Sequence, residues 1–312
     1  MKRAGKIIKF LIHILRENFQ KKLKFTYFYS LRKRYKNWLS LYLLQSSFLL
    51  DVLEIIKREL KIAFLYRYWD KITFKTIYSN GTVLYHPIST RSLSIILGSQ
   101  YENYMNSFKQ LYSEPIKFNK DDVVIDIGAH IGSFSIPMAR RHEVKVFAYE
   151  PDPSNVNCIL KGVSKNKIEK DSFIVKPYAV WKDNGFINFS LGDTPTTGSV
   201  SQSGFFLRKA KNMTIRVKTV SLQTIFDKNN IYKCKILKID CEGSEYAIFS
   251  KMQQDIFNRI EYLFIEIHPT DEHKAEELLN ILQKYFVVKY HKTKSMKGGL
   301  YNEMYEAFCK RR

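Results

Sequence analysis

Ten consecutive residues constrain this chain more than any others: Val123-Val124-Ile125-Asp126-Ile127-Gly128-Ala129-His130-Ile131-Gly132. A β-branched run ends at an acid, two glycines follow with three residues between them, and Ser133 opens an apolar stretch. That order spells a buried strand, a tight turn and the N-terminus of a helix. The glycines let the backbone approach a ligand closely, and the first N–H groups and positive dipole end of the helix face it. Asp126 stands where the dinucleotide fingerprint carries its first glycine. A carboxylate there sits badly against a pyrophosphate and well against an ammonium or a sulfonium. A plain strand-to-helix turn of any α/β protein would show the same periodicity, so the ligand has to be argued from further residues.

From Lys120 onward the pattern alternates in the manner of a parallel α/β sheet. Strands are expected over 123–127, 144–149, 173–180, 235–239 and 260–265, with helices over 133–141, from 153, over 245–252 and over 272–285. Two short segments, 286–290 and 305–309, are joined through Gly298-Gly299 and make a natural antiparallel edge. Extended segments over 186–190 and 214–220 bracket a polar loop at 192–204, placed to cover a substrate. Ahead of this domain, 72–97 reads as a β-hairpin, because Ile72 to Tyr78 alternates and Asn80-Gly81 is a strong turn signal. A helical stretch then runs through 93–102. The chain therefore divides into an extension at 1–70, a hairpin and lead-in at 71–119, and a main domain at 120–312.

Charge is concentrated in the extension. Residues 1–50 hold 12 Lys and Arg against the single acid Glu17, a net +11 out of +21 for all 312 residues. Apolar residues at near-helical spacing between Ile7 and Phe19, interleaved with Lys6, Lys9, His13 and Arg16, make a basic amphipathic helix suited to an anionic membrane interface. The same helix could pack on the domain or on a second subunit. Tyrosines between the bases would also suit nucleic acid. No apolar run reaches the ~18 residues of a membrane span, and basic residues interrupt what would be a signal peptide's core. Cys158, Cys234, Cys241 and Cys309 show no paired spacing, which points to free thiols in a reducing, cytoplasmic setting.

Glu150 closes the second strand 24 residues after Asp126, near the ~20-residue offset at which an acid binds ribose hydroxyls. Tyr178 and Ala179 follow the third strand, where a purine would be sandwiched. The most distinctive block is Leu237-Lys238-Ile239-Asp240-Cys241-Glu242-Gly243-Ser244-Glu245. Alternation places Lys238, Asp240 and Glu242 on one side of the strand's carboxyl end, where ligands bind in open parallel sheets. Glu245 falls at the start of the next helix, where favourable charge at the dipole is explanation enough. Glu266 and His268 share a face at the end of the neighbouring strand. Acids and a histidine crowded together suit acid–base work. The set Asp240, Glu242, Glu266 and His268 could hold a divalent metal, although no ligand spacing compels one, and none is assigned.

The stretches from Val124 to Ser135, Tyr149-Glu150-Pro151-Asp152-Pro153, Ala179-Val180, Leu237 to Glu245 and Ile265-Glu266-Ile267-His268 together resemble the FkbM-type S-adenosylmethionine-dependent methyltransferases. The resemblance spans roughly 75–270, and the Lys-x-Asp-x-Glu-Gly-x-Glu block is specific to it. His130 departs from a common Asn and Cys241 from a common Val. The resemblance implies a Rossmann-like seven-stranded methyltransferase sheet and O-methylation, often of sugar hydroxyls in glycans. Asp126, Gly128, Gly132, Glu150, Tyr178 and Ala179 would then bind the cofactor. Asp240 or His268 would act as base, with Glu242 and Lys238 positioning a carbohydrate or glycolipid acceptor. Two other readings stay open: an RNA methyltransferase drawn to its substrate by charge, and a non-catalytic membrane-surface adaptor keeping the fold.

Overall fold

The computed structural model describes residues 73–78, 80–87, 100–191, 199–200, 213–270, 272–297 and 300–312. The extension at 1–70, the helical turns expected over 93–97 and nearly all of the 192–204 loop lie outside the described residues.

The main domain is built on a seven-stranded sheet. Its parallel strands are β3 (Val123–Ile127), β4 (Lys145–Tyr149), β5 (Phe173–Lys176), β10 (Cys234–Ile239) and β11 (Ile260–Ile267). Two twelve-residue strands complete it: β13 (Leu300–Arg311) runs antiparallel to β11, and β12 (Phe286–Lys297) pairs antiparallel with β13 and so runs in the direction of the parallel strands. The spatial order is β12-β13-β11-β10-β3-β4-β5. This is the Rossmann-like seven-stranded sheet that the family resemblance implied. The antiparallel edge also forms as expected, with each strand longer than the apolar segments alone suggested.

Burial on both faces explains why the central strands carry continuous apolar runs. Every residue of β10 is buried. Ile125, Ile127, Leu237, Ile239, Leu263 and Ile265 point to one face, onto α4 (Leu222–Lys228), α5 (Glu245–Ser250), α6 (Gln254–Arg259) and α7 (Ala275–Leu282). Val124, Val146, Ile236, Phe264 and Phe308 point to the other, onto α1 (Gln100–Tyr112), α2 (Ser135–His142) and α3 (Pro153–Lys165). Helix α3 opens on Asp152, whose carboxylate accepts from Ser154 N at 2.7 Å, followed by Pro153 at a position where its missing N–H costs nothing.

The hairpin forms as the turn signal predicts. Strands β1 (Thr73–Ile77) and β2 (Val83–Pro87) pair antiparallel, and Gly81 takes φ +82° in the turn. Asn166, just past α3, donates its Nδ2 to Val83 O at 2.6 Å and accepts from Val83 N at 2.9 Å, which ties β2 to the main domain. The region after β5 differs from the expectation of one continuous strand. Pro177 cannot donate a ladder hydrogen bond, and beyond it the chain leaves the main sheet. The segment β6 (Tyr178–Val180) joins a second sheet with β7 (Gly185–Leu191), β8 (Ser199–Val200) and β9 (Met213–Val220), in the order β6-β9-β7-β8. All four cysteines are free, and no helix among the described residues is long and apolar enough to cross a membrane.

Gly128 is where the fold is least tolerant. Its φ is +70°, and a Cβ there would lie 1.8 Å from the backbone oxygen of Asp240 on the adjoining loop. Gly128→Ala should therefore cost at least about 1–3 kcal/mol and lower the melting temperature by several degrees. Unaltered thermal unfolding of that variant would show that the two loops are not held at this spacing.

Candidate active site

The register of the sheet assembles the candidate site in rows. Asp126, Lys238, Phe264 and Phe308 lie side by side across β3, β10, β11 and β13. Two residues further along, at the carboxyl ends of the parallel strands, come Gly128, Asp240, Glu266 and Glu306. Glu266 is opposite Glu306 in the pairing of β11 with β13. Both rows face α1. The side chain of Gln100, the first residue of that helix, donates from Nε2 to Asp240 Oδ2 at 3.0 Å and accepts from Ser133 Oγ at 3.0 Å.

Lys238 was expected to position an acceptor; the structure gives it different neighbours. It is fully buried, and its Nζ donates to Gly128 O at 2.8 Å. The same ammonium lies 3.2 Å from Asp126 Oδ1 and 3.6 Å from Asp240 Oδ2. Burial alone would lower its pKa, but Asp126 and Asp240 outweigh that and raise it, so the cation persists. Asp126, expected to face the cofactor, is likewise fully buried, with Lys238 as its counter-ion. Each was legible as functional from its row, but the residue opposite it in the register takes up its charge.

His268 is almost fully buried at the end of β11. Its Nδ1 lies 3.1 Å from Glu245 Oε1, which also accepts from Cys241 N at 3.1 Å. Its Nε2 points between Glu266 Oε1 at 3.7 Å and Glu242 Oε2 at 3.8 Å. Burial disfavours the charged ring, but Glu245 and Glu242 outweigh it and push the pKa up to about 10. Burial, then the charge of Asp240, pushes Glu266 up to about 8. Asp240 goes the other way: burial would raise it, yet Lys238 and His268 hold its carboxyl below the usual range. Glu242 and Gly243 both take positive φ, +55° and +101°, which turns the loop back over the strand end. Carboxylate oxygens of Asp240 and Glu266 and a ring nitrogen of His268 lie within 4.8 Å of one another, a mixed donor set of the kind divalent cations accept.

On the other side of β3, the glycine turn leans on β4. Gly128 N and Ala129 N both donate to Tyr149 O, and His130 N donates to Glu150 Oε2 at 2.8 Å. Glu150 Oε1 accepts from Asp152 N at 2.8 Å and Asn155 Nδ2 at 3.4 Å. Three of roughly four carboxylate lone-pair sites are thus taken by the protein, leaving room for one hydroxyl donor rather than two. Burial, then the charge of Asp152, pushes Glu150 up to about 8 in spite of those donors. His130 has φ +52°, a conformation that Asn tolerates best among larger side chains. Burial, then Lys238, lowers it to about 4, so its ring is neutral, and Nε2 is a buried nitrogen without a hydrogen-bond partner. Tyr178 and Ala179 are consecutive on β6 and so point to opposite faces. Ala179 packs with Phe189 and Val217 inside the second sheet, and Tyr178 lies on the other face.

Sequence spacing gave no sign of Gln100, which meets Asp240 across 140 positions. Glu245 was read as a helix-dipole charge; its contact with His268 became visible only once α5 and β11 were placed together.

A seven-stranded sheet in this order, with the single reversed strand β13 between β11 and β12 and a glycine turn at the end of β3, is that of the methyltransferase class of α/β proteins. The family model described as "Methyltransferase FkbM domain" matches residues 126–290, more than half of the chain. The chain belongs to the FkbM methyltransferase family, and S-adenosylmethionine is its cofactor. A similar curated protein is the hexuronic acid methyltransferase AglP of Haloferax volcanii, 25% identical over 151 residues. That match covers 48% of this chain and 57% of AglP, so the chain matches little more than half of that relative's length. Among solved structures, an FkbM methyltransferase from Methylobacillus flagellatus KT aligns with a TM-score of 0.41 and 14% identity, over 65% of this chain and 50% of that one. TYW2 of M. jannaschii, solved with AdoMet, aligns with a TM-score of 0.41 and 13% identity, over 76% and 87%.

The residues present fit a nucleoside cofactor at three points. Glu150 keeps one acceptor position, His130 Nε2 is buried and unpartnered, and neither glycine puts a Cβ into the turn. With Glu150 as the ribose acceptor, the ionised carboxylate would be the binding form, and cofactor affinity should rise with pH by up to about tenfold per unit below pH 8. Calorimetric titrations of wild type and Glu150→Gln would check this; the same slope in both would remove Glu150 from the ribose. Removing one partner of the buried ion pair, as in Lys238→Met, should cost about 3–5 kcal/mol, and Asp126→Leu in the same chain should restore much of it. Denaturant unfolding of the single and double variants measures both, and a neutral single variant would mean that the pair does not hold the strand ends.

Proposed function

We propose that this chain is an O-methyltransferase acting on a sugar hydroxyl of a glycan or glycolipid, with 120–312 as its catalytic domain. The observation that carries the reading is the acidic row beside the glycine turn. Carboxylates accept hydrogen bonds from hydroxyl groups and repel a phosphate backbone, which favours a polyol over RNA. The similar protein AglP, named as a hexuronic acid methyltransferase, supports the same direction.

An alcohol needs to lose its proton as it attacks. The cofactor supplies an electrophilic methyl group on a sulfonium. Among the groups at the row, His268 and Glu266, with pKa values of about 10 and about 8, carry protons at neutral pH. Asp240 stays ionised and partly exposed, and it takes the base's part. The acceptor hydroxyl would give up its proton to Asp240 as its oxygen becomes the nucleophile towards that methyl group. Gln100 and Lys238 hold Asp240 Oδ2 in place, leaving its other oxygen for the acceptor. Protonated His268 holds Glu242 and Glu266 around that position. Much of the rate comes from keeping the acceptor oxygen in line with the methyl group.

Asp240→Asn should keep cofactor affinity within a few-fold and lower turnover by about 10²-fold or more. Transfer of labelled methyl groups to isolated glycan and RNA fractions, read by mass spectrometry, checks the acceptor class. Label in RNA alone would replace the sugar reading. Equal loss of cofactor binding and turnover in Asp240→Asn would make Asp240 a structural residue.

A further inference from the structure

The second sheet presents a face that the chemistry above does not use. Pairing sets Tyr178 opposite Lys218 and Lys218 opposite Phe186, so the three form one row across β6, β9 and β7. Two residues along β9, on the same face, stands Arg216. Phe186 is 59% exposed, and Arg216 and Lys218 are exposed as well. The Arg216 guanidinium lies 4.5 Å from the centre of the Phe186 ring, and Lys218 Nζ lies 4.9 Å from that of Tyr178. No carboxylate among the described residues is ion-paired to either cation. The opposite face is apolar and packed through Ala179, Phe189 and Val217.

A guanidinium stacked on a ring is held in orientation while its N–H donors stay in its own plane, free to take a carboxylate two-pronged. Phe186 keeps its second face for the C–H surface of a pyranose. Ring stacking and a fixed guanidinium beside a lysine match a chain of acidic sugars better than a duplex or a long RNA, which calls for a broader basic stripe. The sheet begins at Tyr178, two residues after β5, whose Lys176 O accepts from Glu150 N at 3.2 Å. It therefore grows from the ligand-binding end of the main sheet. Three strand spacings, about 14 Å, separate β10 from β5, a span that an oligosaccharide covers and a monosaccharide does not.

We propose that the Phe186–Arg216–Lys218 face is a distal subsite for an acidic oligosaccharide whose terminal hydroxyl is delivered to the Asp240 row; the proposal rests on the sugar reading above. The test uses the full chain loaded with S-adenosylmethionine, with tetragalacturonate as probe and maltotetraose and an oligouridylate as comparisons, in titration calorimetry. Wild type should bind tetragalacturonate in preference to the neutral tetramer. Arg216→Ala and Phe186→Ala should each weaken that binding by about tenfold and leave cofactor affinity and melting temperature unchanged. No binding of tetragalacturonate, equal binding by the variants, equal binding of maltotetraose, or tighter Arg216-dependent binding of oligouridylate would each overturn the subsite. Failure of the reaction reading looks different: tetragalacturonate would bind through Arg216 while no sugar accepted a labelled methyl group. Failure of the subsite alone would leave monosaccharide methylation intact with Arg216→Ala binding the tetramer as wild type does.

Discussion

One buried ammonium holds the carboxyl ends of the two central strands together. Lys238 reaches the carbonyl of Gly128 on one loop, the carboxylate of Asp126 on β3 and that of Asp240 on its own strand. A lysine without solvent is expensive, and it is tolerated because two acids and a carbonyl replace its hydration. In return it sets the spacing between the glycine turn and the Asp240 loop. That spacing is close enough for the absence of a Cβ at Gly128 to be obligatory.

The same interior charge sorts the surrounding acids. Asp240, next to Lys238 and His268, is kept ionised; Glu266, one strand further away, is driven towards its neutral form by burial and then by Asp240. His268 is charged because Glu245 lies against it, and His130 is neutral because it is buried and lies near Lys238. Two acids and two histidines thus divide evenly, Asp240 and His268 ionised and Glu266 and His130 neutral, across neighbouring strand ends.

Much of this was legible in the sequence because sheet parity is strict. Once Val123 to Ile127 and Cys234 to Ile239 are strands, the even positions must share a face, and Asp126, Lys238 and Asp240 fall together without further information. The glycine turn and the acid at Glu150 were legible for the same local reason. What parity cannot give is the partner across the interface. It placed Lys238 beside Asp126 and Asp240 but not over the carbonyl of Gly128, to which its ammonium donates. It placed His268 at the strand end but not the Glu245 carboxylate that lies against it and favours its charged form. Gln100 belongs to a helix outside the matched family region, and Tyr178 and Ala179 were read as one continuous strand because Pro177's effect on the sheet is a tertiary outcome.

The placement of β13 carries a consequence for biogenesis. This strand does not sit at the rim; it lies between β11 and β12, and its Glu306 faces Glu266. Residues near 266 therefore emerge from a ribosome some forty positions before the strand that flanks them. Until that later strand arrives, β11 presents an unpaired hydrophobic edge of the kind that invites other chains. Glu306 joins the acidic row only when β13 docks, so completion of that row and protection of the β11 edge arrive in one event.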